Sequence, residues 1–128
     1  MIFVTGPLFA GKEETICKCL GWSRTDFEKN GVRDVQELAA KTEHLAELAD
    51  RLAKKDVVIA TEVGGGVVPM DAGARHDREQ AGRLACLLAE RADTVVRVML
   101  HFQIVFPLKA AKVHLLQPRD HQLRHPGK

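Results

Sequence analysis

Two hydrophobic patterns alternate along this chain, short β-branched runs and longer stretches with apolar residues three or four apart. "MIFVT" (1–5) is an apolar run ending at a glycine, which predicts a buried strand. Ile16 and Leu20 then sit at helical spacing, and Gly21 is a suitable stop, so a helix is expected from Gly11 to about Leu20. In "SRTDFEKNG", Ser23 and Asp26 have capping-box spacing and Asn30-Gly31 terminates, giving a short helix or turn. "VRDV" (32–35) reads as a short strand or as a helix start. Leu38, Leu45, Leu48 and Leu52 make 36–54 helical, with Thr42 as a point of restart. "DVVIAT" (56–61) is the clearest buried strand, and it runs into the glycine-rich "EVGGGVVP". Ala74, Ala81, Leu84 and Leu88 line one side of a long helix over Asp71 to Arg91. "TVVRVML" (94–100) is a further strand.

Helix-length connections between buried strands require crossovers, so the fold class is α/β with a parallel sheet and helices on both faces. At 128 residues one domain is expected, comprising 1–108 with a tail at 109–128. Hydrophobic residues make up 45% and charged residues 28%, an ordinary soluble composition. No apolar run reaches membrane-spanning length, and the N-terminus reads as a strand rather than a signal peptide. Cys17, Cys19 and Cys86 are an odd number without an export signal, which favours reduced thiols and a cytoplasmic protein. Cys17 and Cys19 would not share a helical face, so no metal site is expected from them.

Charge changes the picture only at the end of the chain. The net +2 divides into 14 basic against 16 acidic residues over 1–108, and 5 basic residues against Asp120 over 109–128. The tail has three histidines, two prolines and no clear periodicity. It lacks the aromatics and charge density of a nucleic-acid surface, so a poorly ordered basic appendage is expected.

The chemistry is concentrated where the first strand meets the first helix. Gly6-Pro7-Leu8-Phe9-Ala10-Gly11-Lys12 has the G-x-x-x-x-G-K spacing of a phosphate-binding loop. Backbone N–H groups of such a loop face phosphate oxygens, the lysine bridges the terminal phosphates, and the helix N-terminus adds a favourable field. Pro7 removes one of those donors and stiffens the loop. The next position normally carries a Ser or Thr hydroxyl for Mg²⁺, and here it is Glu13. A carboxylate there is either a metal ligand or a first-turn acid that favours the helix dipole and faces solvent. Glu62, directly after "VVIAT", is a second candidate, since an acid at a buried strand end needs hydrogen bonds or phosphate–metal chemistry to hold it there. Gly64, Gly65 and Gly66 allow either a tight turn or simple flexibility. Arg75 and Arg78 either reach an anionic ligand or belong to a solvated helix face.

Thr61-Glu62-Val63-Gly64, Val68-Pro69 and then Arg75, Arg78-Glu79 and Gly82 resemble the bifunctional adenosylcobinamide kinase/adenosylcobinamide-phosphate guanylyltransferase family. That family has a strand ending Asn-Glu-Val-Gly, then Val-Pro, then a helix patterned Arg-x-x-x-Arg-Asp-x-x-Gly. It also opens with a strand and a phosphate loop, matched here by Gly6, Gly11 and Lys12. The likeness covers about 1–20 and 56–98, and it weakens in the middle segment and from near Met99.

The resemblance implies a P-loop NTPase-like fold, ATP or GTP with Mg²⁺, and a corrinoid acceptor whose hydroxyl is phosphorylated in cobalamin biosynthesis. Lys12 would hold nucleotide phosphates, and Glu62 would act as a metal–water ligand or base. Asp34 would match the family's strand-end acid and suit Mg²⁺, making Glu13, Asp34 and Glu62 the metal candidates. The helix bearing the family's guanylylated histidine has no counterpart here. His44 and His76 lack its surroundings and read as exposed helical residues. The family's larger members are trimers, which implies a homo-oligomer. The alternative reading is a non-catalytic nucleotide-binding or regulatory homologue that has lost the metal-ligating hydroxyl and that histidine.

Overall fold

The protein's computed structural model describes residues 1–8, 10–63 and 71–99, together with the backbone of 102–107 and 114–116. The strands are β1 (Ile2–Gly6), β2 (Gly31–Val32), β3 (Val57–Thr61), β4 (Thr94–Met99), β5 (Phe102–Pro107) and β6 (His114–Leu116). The helices are α1 (Lys12–Leu20), α2 (Arg24–Asn30), α3 (Gln36–Ala39), α4 (Leu45–Leu52) and α5 (Ala72–Arg91). They surround a sheet of order β2-β3-β1-β4-β5-β6. The first four strands are parallel, as the helix-length crossovers require.

β5 and β6 are strands that the hydrophobic pattern did not predict, and they extend the β4 edge antiparallel. An antiparallel neighbour needs only a tight turn, so no crossover helix announces it in the sequence. β6 falls within 109–128, the stretch expected as a tail, and the rest of that stretch lies outside the described residues.

Alternation along the strands sorts the core into two faces. Phe3, Val58 and Ala60 pack with Leu48, Ala49 and Leu52 of α4 and Leu84 and Leu88 of α5. Val4, Val57, Ile59, Val96 and Val98 pack with Ile16 of α1 and Phe27 of α2. Every residue of β3 is buried, which explains its uninterrupted apolar run. Among the described residues no helix is long and apolar enough to cross a membrane.

Local signals set the helix ends. Ser23 and Asp26 form the expected capping box, each side chain accepting from the other's backbone N–H. The helical stretch 36–54 divides into α3 and α4 around Thr42, whose hydroxyl accepts from the His44 N–H. Asp71 caps α5 by accepting from the Ala74 N–H. Buried Gln80 donates to the Ala39 and Thr42 carbonyls and ties α5 to the end of α3.

β1 lies between β3 and β4, neither of which adjoins it in the chain. That break in strand order opens a crevice at the carboxyl ends, where open α/β sheets bind ligands. Gly6, at that end, has φ 152°, and a Cβ there would collide with the Val98 carbonyl oxygen. Gly6→Ala is therefore expected to cost roughly 3 kcal/mol from overpacking and backbone strain. Gly82→Ala, in open space on α5, should instead stabilise by about 0.5–1 kcal/mol. Denaturant midpoints of the two variants check this, and equal midpoints would contradict it.

Candidate functional site

The loop after β1 is closed by its own hydrogen bonds. The Pro7 carbonyl accepts from the Ala10 N–H at 3.3 Å and from Lys12 Nζ at 2.8 Å. Gly11 takes a left-handed conformation (φ 80°) as the N-cap of α1, a geometry that suits glycine. Lys12 itself is buried at 8% exposure, and burial lowers its ammonium pKa while Asp34 and Glu62 pull it back up. A desolvated ammonium held on a neutral carbonyl at a helix N-terminus is well suited to exchange that carbonyl for a phosphate oxygen. A cavity of about 250 Å³ lies here, lined by Gly11, Lys12, Glu13, Arg33, Asp34 and Thr61 among others.

Two arginines govern the carboxylates around this loop. Glu13 sits in the first turn of α1, and both its oxygens accept from Arg33, at 2.6 and 3.1 Å. Arg33 also donates to Glu28 and lies 4.9 Å from the centre of the Phe27 ring. Phe27 in turn packs so closely on Gly31 that a Cβ there would fall 2.5 Å from the ring. Both members of the Glu13–Arg33 pair are partly solvated, so the pair stabilises the fold by only about 0.2–1 kcal/mol. Its larger effect is to fix where the Glu13 charge lies.

Glu62 emerges just beyond the Gly6–Thr61 register pair, with its backbone N–H donated to the Gly6 carbonyl. Its two carboxylate oxygens accept from Arg97 at 2.6 and 2.7 Å. Arg97 lies on β4 beside Thr5, so this ion pair bridges from β3 to β4 across the end of β1. The Arg97 hydrogen bonds hold the Glu62 carboxyl below its ordinary pKa despite partial burial, so it is ionised at neutral pH.

With the loop, its lysine and the strand-end acid in place, comparison with known families becomes decisive. The family model described as cobinamide kinase/cobinamide phosphate guanyltransferase matches residues 6–104. The chain belongs to this family. The match runs through the middle segment, and it continues past Met99, near where the motif-level resemblance ends. A comparison with curated proteins found no match.

Within this cobinamide kinase/guanyltransferase family member, the sequence candidates are distributed unequally. Gly6, Pro7, Leu8, Ala10, Gly11 and Lys12 run from the last residue of β1 to the first of α1, while Phe9 lies outside the described residues. Gly64, Gly65, Gly66, Val68 and Pro69 also lie outside them. Asp34 reaches the cradle cavity and holds a left-handed backbone conformation (φ 54°), sparsely populated for a residue with a side chain. His44 is the N-cap of α4, and His76 is exposed on α5.

Glu13, Asp34 and Glu62 do not form a metal cage, since among the described residues no three potential ligands cluster closely enough to hold an ion. Mg²⁺ does not need such a cage, because it commonly takes one or two carboxylates with substrate phosphates and water. Asp34 fits that role best. It faces Lys12, and its carboxylate has no arginine holding it among the described residues.

Arg33, Arg97 and Gln36 were not singled out by sequence reasoning. Arg97 left a trace, a lone charge in the apolar "TVVRVML" near the carboxyl end of a strand. Arg33 and Gln36 left none, because their partners lie 20 and 25 residues away.

The Glu62–Arg97 pair has a pH signature. A depressed carboxyl pKa stabilises the fold above the unfolded value near 4.5, and that contribution is lost as pH falls through the folded value. Arg97→Met should therefore lower stability at neutral pH, and the gap from wild type should close well below 4.5. Denaturant titrations of both proteins at the two pH values check this. A gap independent of pH would show that the pair is not its source.

Proposed function

We propose that the chain binds ATP or GTP at the Gly6–Lys12 loop and transfers the terminal phosphoryl group to a cobinamide-like alcohol. The observation that carries this reading is Lys12, desolvated and held on the Pro7 carbonyl at the N-terminus of α1, with Asp34 and Glu62 facing it. In the reaction the alcohol oxygen forms a bond to the γ-phosphorus. The bond from that phosphorus to the bridging oxygen breaks, the nucleoside diphosphate leaves, and the alcohol proton passes to solvent. Loop N–H groups and Lys12 stabilise charge on the phosphoryl oxygens, so catalysis is mostly positioning and electrostatics.

Asp34 would hold Mg²⁺ brought in with the nucleotide, and the ion would supply further charge neutralisation there. Glu62 is a poor general base, because Arg97 holds its carboxyl pKa down. Its ionised form suits holding metal-bound water. Kinase activity is favoured over guanylyl transfer because the resemblance leaves the helix bearing the family's guanylylated histidine without a counterpart.

One observation favours a second reading. Glu13 replaces the metal-binding hydroxyl and both its oxygens engage Arg33, as expected of a homologue that keeps nucleotide and has given up catalysis.

Calorimetric titration with ATP and GTP, with and without Mg²⁺, separates the two. The kinase reading predicts Mg²⁺-dependent binding that weakens roughly tenfold to a hundredfold in Lys12→Ala, the loss of a charge-assisted contact. Binding indifferent to Mg²⁺ supports the non-catalytic homologue. No binding by wild type at millimolar nucleotide overturns both.

A further inference from the structure

A second recess opens between α3 and α5, on the other side of the β3 end from Lys12. Its outer part, about 510 Å³, is walled by Ala40 and Ala74, with Glu37 and Asp77 at the rim. Its inner part, about 160 Å³, reaches the strand ends at Thr5, Thr61 and Glu62. Gln36, Val63, Arg78 and Ala81 line both parts, so the two form one cleft that narrows inward. Thr61 also lines the cradle cavity, which makes it the partition between this cleft and the phosphate loop.

From this arrangement we infer that the α3–α5 cleft is the acceptor site. It would take an uncharged or cationic ligand with a bulky, largely apolar body and a slender hydroxyl- or amide-bearing end that points toward Glu62. The inference rests on the kinase reading of the phosphate loop.

Four features support this assignment. The walls are pinned, because Gln80 ties α5 to the end of α3 through the Ala39 and Thr42 carbonyls. Alanines at positions 40, 74 and 81 leave the space that larger residues would fill. Gln36 is fixed by accepting from the Thr61 N–H through Oε1, so its amide NH₂ remains a donor with no partner among the described residues. The outer part carries two carboxylates against one guanidinium, which disfavours a second polyanionic nucleotide. The taper matches a ligand whose hydroxyl reaches inward while its body stays outside.

Cobinamide is the probe, titrated into wild type, Ala74→Trp and Gln36→Glu in parallel with Mg²⁺ and a non-hydrolysable ATP analogue. Ala74 is exposed in the first turn of α5, so a tryptophan there fills the cleft without entering the core. Gln36→Glu keeps an oxygen for the Thr61 N–H and removes the NH₂ donor. Cobinamide should bind wild type and weaken about tenfold or more in each variant, with nucleotide affinity held within about twofold.

Cobinamide affinity unchanged by Ala74→Trp overturns the assignment. So does wild type that binds nucleotide but not cobinamide, or a parallel loss of nucleotide in the variants. Wild type that binds neither ligand overturns the kinase reading itself.

Discussion

The upper edge of the sheet is organised by the missing side chain at Gly6. Because β1 ends there without a Cβ, the Val98 carbonyl of β4 lies against it and the Glu62 N–H reaches its own carbonyl. The Glu62–Arg97 pair then spans from β3 to β4 over the end of β1. Three strand ends are thereby locked in register where the phosphate loop departs. The loop needs this rigidity, since a cradle of N–H groups is useful only if those groups are already aimed before the ligand arrives.

Charge around the cradle is arranged by the two arginines as much as by the acids. Arg33, braced by Phe27 and Glu28, holds Glu13, and Arg97 holds Glu62. Lys12 has no such partner and rests on a neutral carbonyl, while Asp34 faces it from a strained backbone position. Lys12, resting on a neutral carbonyl, and Asp34, with no arginine holding it among the described residues, thus meet at the same cavity. That is the complement that a phosphate with a bound cation requires. Strain at Asp34 costs of order 1–3 kcal/mol, a type of expense that concentrates at functional positions.

Much of the architecture was legible because local chemistry and tertiary context agreed. The β-branched run 57–61 is buried on both faces, the Ser23–Asp26 spacing makes a true capping box, and the glycine–lysine spacing falls between a strand and a helix. Antiparallel β5 and β6 were not legible, since only pairing defines them, β5 with β4 and β6 with β5. At the site, the loop could be read from contiguous residues. The arginine partners could not, because they join residues 20 and 35 positions apart and depend on strand order. Glu13 shows the limit most clearly. Its chemistry depends less on the residue itself than on the Arg33 that meets it.

The central claim is that this loop still forms a working phosphate cradle with Lys12 at its centre. A crystal structure with Mg²⁺ and a non-hydrolysable nucleoside triphosphate tests it most directly. The account predicts the β- and γ-phosphates inside the loop, Lys12 Nζ moved from the Pro7 carbonyl onto a phosphate oxygen, and Asp34 on the metal side. A nucleotide bound elsewhere, with Lys12 still on Pro7, would contradict it.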